Sequence, residues 1–190
     1  MDFHEVEELQ RTDRWEEAGA LLAGAAAGLE GAGAQFLVIC TNTMHKVAPA
    51  IAARVKIPLL HIADPTAEAI IAAGFRRVGL LGTRFTMEQA FYKSRLEELH
   101  HLDVLTPSAA DRAIVHDVIY QELCLGKVVE ASRREYRRII GELVARGAQC
   151  VILGCTEISL LVQASDASVP LFDTTLLHAR AAVALALAAS

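Results

Sequence analysis

The chain lacks a basic excess. Its 18 Lys and Arg stand against 23 Asp and Glu, a formal net charge of -5, so there is no electrostatic footprint for a nucleic-acid backbone. It also lacks a long apolar run: the longest, Ala18 to Leu29, is rich in Ala and Gly and stops at Glu30, too short to cross a bilayer. No basic stretch followed by an apolar one opens the sequence, so no secretory leader is read. Cysteine is sparse, 4 in 190 residues, and without a secretory signature free thiols are expected rather than a disulfide framework. Neither C-x-x-C nor H-x-x-x-H spacing occurs among Cys40, His45, Cys124, Cys150 and Cys155, which argues against a metal site. No phosphate-binding glycine loop is present, since Gly79-Leu80-Leu81-Gly82-Thr83 reads as the end of a strand. What remains is 53% hydrophobic and 22% charged, a folded chain with enough material for one sizeable core or two small lobes. A soluble, cytoplasmic protein acting on a small molecule is expected.

The most informative feature is a duplication. Gly33-Ala34-Gln35, an apolar run and Thr41-Asn42-Thr43 return as Gly147-Ala148-Gln149, an apolar run and Cys155-Thr156-Glu157. The offsets 155 − 41 and 147 − 33 both give 114. A second match, Ile57-Pro58-Leu59-Leu60 with Val169-Pro170-Leu171-Phe172, is offset by 169 − 57 = 112. A repeated strand-and-turn unit implies two similar lobes, able to bring a reactive side chain to each side of one ligand.

Short, almost wholly apolar runs at Phe36–Cys40, Pro58–Leu60, Val78–Leu81, Cys150–Leu153 and Val169–Phe172 suit parallel strands buried on both faces. Helical periodicity fills Trp15–Glu30, Met44–Arg54, Thr66–Ala73, Thr86–His100, Ala109–Glu122, Glu130–Arg146 and Thr175–Ala189. Asp64-Pro65 and Thr86 with Gln89 suit helix starts, and Gly147 a helix C-cap. Such alternation predicts an α/β fold with right-handed crossovers. The predicted lobes are 1–63 with 173–190, and 64–172.

In each repeat the polar trio falls where a buried strand gives way to a helix, the place where open α/β sheets bind ligands. Free N–H groups there favour a carboxylate, and a thiol at Cys155 is expected to have a lowered pKa and thiolate character. Successive strand residues point to opposite faces, so Cys40 and Thr41 cannot both face the ligand; the repeat register pairs Thr41, not Cys40, with Cys155. His45 and His61 are candidates for acid–base work, each set against an equal expectation of a structural histidine. Thr83 and Thr86 lie at another strand-to-helix junction, where a helix cap by Thr86 is the plainer expectation.

Cys40-Thr41-Asn42-Thr43-Met44-His45 and Gly154-Cys155-Thr156-Glu157-Ile158 resemble the aspartate/glutamate racemase family of cofactor-independent amino-acid racemases. His61-Ile62-Ala63-Asp64, Leu80-Leu81-Gly82-Thr83 and Asp173-Thr174 add to the likeness, which runs over essentially the whole chain. The resemblance implies two pseudo-twofold-related lobes with the active site between them, and no cofactor. It implies catalytic groups Thr41 and Cys155 on opposite faces of a substrate α-carbon, with Gln10, Asn42, Thr43, Thr83, Thr156 and Glu157 as substrate contacts. Aspartate, glutamate or both would be racemised, and a homodimer stays open. Three departures stand out. Thr41 replaces the usual first cysteine, as in a Thr/Cys subgroup acting on acidic amino acids. A lysine that aspartate racemases carry near Cys124 is absent from Ile119–Cys124. The family's leading strand, glycine-rich loop and helix precede the Asp2-Phe3 region, and a chain without them is expected to be less active and less stable. A hydantoin racemase, a decarboxylase, a maleate-isomerase-like enzyme, or an inactive binding form are the alternatives.

Overall fold

The computed structural model describes residues 2–188; Met1, and Ala189 at the expected end of the last helix, lie outside them. The chain folds as two compact units, Met1–Ile39 with Met44–Leu60, and Cys40–Thr43 with His61–Ser190. The closing helix therefore groups with the second unit, where the sequence places it with the first. Among the described residues no helix is long and apolar enough to cross a membrane.

The first unit contains α1 (Phe3–Arg11), α2 (Trp15–Gly31), β1 (Leu37–Val38), α3 (Ala48–Ala52) and β2 (Leu59–Leu60). Helix α1 is not anticipated from the sequence. It starts on Asp2, whose carboxylate accepts the His4 N–H at 3.0 Å, and its Leu9 joins the core of α2, β1 and α3. Gly19 lets α2 lie close to α3, since a Cβ there would stand 3.2 Å from that of Ala50. Strand β1 pairs with β2 in parallel.

The second unit runs α4 (Ala63–Ala72), β3 (Arg77–Gly82), α5 (Arg84–Glu88), α6 (Ala90–Ser94), a π-turn at Arg95–Leu99, β4 (Asp103–Leu105), α7 (Ala109–Gln121), α8 (Glu130–Ala145), β5 (Cys150–Gly154), α9 (Ile158–Leu161), β6 (Leu171–Asp173) and α10 (Thr174–Ala188). Its sheet has the order β4-β3-β5-β6, and every pairing is parallel. Strand β5 is buried at all five positions because helices cover both faces. Val151 and Leu153 pack with Tyr136, Ile139, Ile140 and Leu143, one stripe of α8, while Cys150 and Ile152 pack with Ile62, Ile70, Tyr92 and Leu96. This period-two division explains the continuous apolar run.

The sequence repeat is a structural repeat. Helices α2 and α8 both end in a Schellman cap, with Gly33 at φ +93° and Gly147 at φ +98°, a region that favours glycine. Ala34 N–H donates to Leu29 O at 3.0 Å, and Ala148 N–H to Leu143 O at 3.0 Å. The strand register repeats as well: Leu37 faces Leu59 as Val151 faces Leu171. Leu37 N–H reaches Pro58 O at 2.9 Å, and Val151 N–H reaches Pro170 O at 3.0 Å.

Several expected boundaries differ. The strand expected over Phe36–Cys40 is only Leu37–Val38, which leaves Cys40 and Thr41 beyond it, and the helix expected over Met44–Arg54 is a 3-10 turn at Thr43–Val47 followed by Ala48–Ala52. The span Thr86–His100 breaks at Gln89, whose backbone is extended, and ends in the π-turn. Its cap is Thr83, whose side chain accepts the Thr86 N–H at 3.4 Å; Thr86 lies inside the first turn, fully buried.

Candidate active site

Strands β3 and β5 end side by side, with Gly82 opposite Gly154. A Cβ on Gly82 would lie 2.8 Å from Gly154 O, and one on Gly154 would lie 2.7 Å from Leu81 O. Both contacts are to backbone, so the strand ends approach this closely only with glycine at both positions. Thr83 and Cys155 follow directly, from neighbouring places at the carboxyl end of the sheet. Gly154→Ala is accordingly expected to destabilise the fold by about 1–3 kcal/mol through overpacking, read as a lower unfolding midpoint in urea; an unchanged midpoint would show that the two strands can spread.

The segment Cys40–Thr43 belongs to this same unit and is tied to the sheet end at two points. Thr43 Oγ1 lies 2.9 Å from Thr83 Oγ1. Asn42 Nδ2 donates to Thr174 Oγ1 at 3.0 Å, and Thr174 Oγ1 donates to Leu153 O at 2.9 Å. Asn42 is only 2% exposed, and its Oδ1 is buried with no hydrogen-bond partner in the protein. Sequence spacing could not have found the Asn42–Thr174 pair, 174 − 42 = 132 residues apart; Thr174 entered the sequence reading only as part of a motif.

Cys155 continues the parity of Val151 and Leu153 and packs against the α7–α8 face of the sheet. Its thiol donates to Glu157 Oε2 at 3.0 Å, and Thr156 Oγ1 donates to the same oxygen at 2.7 Å. The expected low pKa is overturned: burial first, then the charge of Glu157 and its hydrogen bond, push the thiol well above its ordinary value. Position after a strand did not decide the matter because α9 is only 4 residues long, a weak dipole against desolvation and an adjacent anion. The resting group is a thiol. Glu157, expected as a substrate contact, is in this structure the acceptor that holds Cys155 and Thr156.

The other candidates are placed as follows. Thr41 is half-buried, and Cys40 is exposed. Cys150 is buried in the core, its thiol pushed up to about 12 by desolvation. Burial and the Glu157 charge push Cys124 up to about 11. His61 Nδ1 accepts the Ala63 N–H at 3.2 Å, bracing the start of α4. His45 and Gln10 are buried in the first unit, where Gln10 Nε2 donates to Met44 Sδ at 3.0 Å. Among the described residues no three His, Cys, Asp or Glu side chains are grouped to hold a metal ion.

A thiol, a carboxylate, a row of hydroxyls and an unpaired amide oxygen at one strand end can bind a small zwitterion and move a proton. Comparison with known proteins bears on the fold and the family. The chain superposes on the crystal structure of a Yersinia pestis protein assigned to the Asp/Glu racemases with a TM-score of 0.91 and 56% identity, covering 98% of this chain and 81% of that one. An aspartate racemase homologue from Pyrococcus horikoshii OT3 gives 0.83 and 35%, covering 98% and 80%. A glutamate racemase from Thermus thermophilus is 31% identical over 170 residues, 87% of this chain; the chain spans 58% of that relative's length. The model of the Asp/Glu/Hydantoin racemase family matches residues 1–182, and the chain is a member of that family.

Proposed function

We propose that the protein racemises an amino acid, aspartate or glutamate or both, without a cofactor. Cys155 serves one face of Cα, and Thr41, its counterpart in the repeat, serves the other. The observation that carries the reading is the Cys155 thiol paired with Glu157 at the carboxyl end of β5.

An amino-acid α-hydrogen is a very weak acid, so its removal needs both a base and stabilisation of the carbanion. Cys155 reaches its basic form by passing its proton to Glu157, and the thiolate then takes the hydrogen from Cα. A bound substrate favours this step, because its ammonium charge near the site offsets the desolvation of the thiolate. The Thr43–Thr83 hydroxyl pair has one proton free to donate to the α-carboxylate, Thr156 can donate there once its proton turns away from Glu157, and the Asn42 Oδ1 supplies an acceptor for the ammonium. Return of a proton from the Thr41 side inverts the centre. An unaided hydroxyl is too weak an acid and base for the reverse direction, so Thr41 acts there through a relay. Gln10 is assigned to the substrate by family resemblance.

Incubation of the protein with each enantiomer of aspartate and glutamate in deuterated water tests the reading. Incorporation of deuterium at Cα together with loss of optical rotation is expected. The free enantiomers have equal energy, so kcat/KM must be the same in both directions, with any asymmetry confined to compensating kcat and KM. Absence of exchange with all four substrates would overturn the assignment. The matching family also includes hydantoin racemases, which favours one second reading; exchange at C5 of substituted hydantoins, and none with amino acids, would select it.

A further inference from the structure

Within the racemase reading, on which this inference rests, we infer that Thr174 is a positioning residue: it holds the Asn42 amide with its oxygen directed to the substrate ammonium. It thereby makes the site select amino acids over their 2-hydroxy counterparts. A primary amide is nearly symmetrical in shape, and only its partners decide which end is oxygen. Thr174 provides that decision. A threonine hydroxyl has one proton to donate, and here it goes to Leu153 O at 2.9 Å. Thr174 Oγ1 can then only accept from Asn42, so the amide end 3.0 Å away is Nδ2. The reverse orientation would set two acceptors against each other.

The frame behind this choice is the paired end of β5 and β6. Leu153 lies in β5 opposite Asp173 of β6. Thr174 opens α10 and is fully buried, and Asp173 Oδ1 caps that helix by accepting the Thr175 N–H at 2.8 Å. The consequence falls on the other end of the amide, an oxygen buried without a partner. A lone buried acceptor is costly unless a ligand supplies a donor. An ammonium has only donors to offer. A hydroxyl in the same place can satisfy either end of the amide and gains nothing from the fixed orientation.

The experiment compares aspartate with malate, and glutamate with 2-hydroxyglutarate, as ligands of the parent chain and of Thr174→Val. Dissociation constants come from calorimetry, KM and kcat from α-deuterium exchange. In the valine variant the amide is free to turn. The preference for the amino acid over the hydroxy acid is expected to fall about tenfold, with KM rising more than kcat falls. Thr174→Ser, which keeps the hydroxyl, should restore the parental ratio, a rescue that repair of packing alone would not give. An unchanged ratio in a folded Thr174→Val variant of an active parent would overturn the inference and leave the racemase reading standing. A parent inactive toward every amino acid would overturn both. If the valine variant fails to fold, Thr174→Ala replaces it: it also removes the hydroxyl and frees the amide to turn, and an unchanged ratio in that folded variant would overturn the inference.

Discussion

Replacement of Cys155 by serine should reduce α-hydrogen exchange by about a thousandfold or more, because the group proposed to take the proton is then lost rather than weakened. The serine hydroxyl can still donate to Glu157 and occupies nearly the same space, so the fold and substrate binding should persist. A hydroxyl ionises far less readily than a thiol, however, and desolvation, already the dominant influence on Cys155, acts against both. Cys40→Ser provides the contrast. That side chain is exposed, and its loss should leave the rate close to the parental one. Parental exchange in a folded Cys155→Ser chain would remove Cys155 from the mechanism.

Glu157→Gln should lower the rate near neutral pH by about a hundredfold, within the range of a general-base contribution. Two opposed effects meet at this residue. Removing the negative charge and its hydrogen bond brings the Cys155 pKa down, which favours the thiolate. The same change takes away the group proposed to receive the thiol proton. Burial decides between them, because it is the larger cause of the raised pKa and survives the substitution. The thiol therefore stays protonated near neutrality and has lost its acceptor. The sign on the pH axis follows. In the parent the proton only moves from thiol to Glu157, so the rate should be nearly flat around neutrality; in Glu157→Gln the proton must leave for solvent, so the rate should rise with pH toward the thiol pKa, which burial holds above its ordinary value. A pH–rate profile of kcat/KM for the two proteins reads both effects at once. A faster neutral reaction in the glutamine variant would mean that Glu157 only suppresses the thiol and does not receive its proton.

Much of the architecture was legible because its signals are local. The apolar runs of β3 and β5 are uninterrupted, since both faces of each strand are covered. The duplicated Gly-Ala-Gln marks two helix caps of the same geometry, and the offsets of 114 and 112 reappear as equivalent strand pairings, Leu37 with Leu59 and Val151 with Leu171. Elements with weak local signals were missed. Strand β4 is 3 residues long and pairs only along β3, too short to show a period. Helix α1 has a polar surface and a narrow apolar edge around Val6 and Leu9. The expected helix from Thr86 failed because Thr83, not Thr86, captures the first free N–H.

The candidate site divides along the same line. The sequence alone determined which residue types recur after the two apolar runs: Thr41 and Cys155 stand at the same place in a repeat offset by 114. It also determined that hydroxyls and an amide follow them. Whether Cys155 rests as thiol or thiolate was decided only by the tertiary structure, since desolvation depends on α7 and α8 packing over that face of the sheet. The orientation of the Asn42 amide was decided there too, by a hydroxyl 132 residues away in sequence. Burial and long-range hydrogen bonds are properties of the packed chain, and they set the acidity of the thiol and the polarity of the amide where residue spacing could set neither.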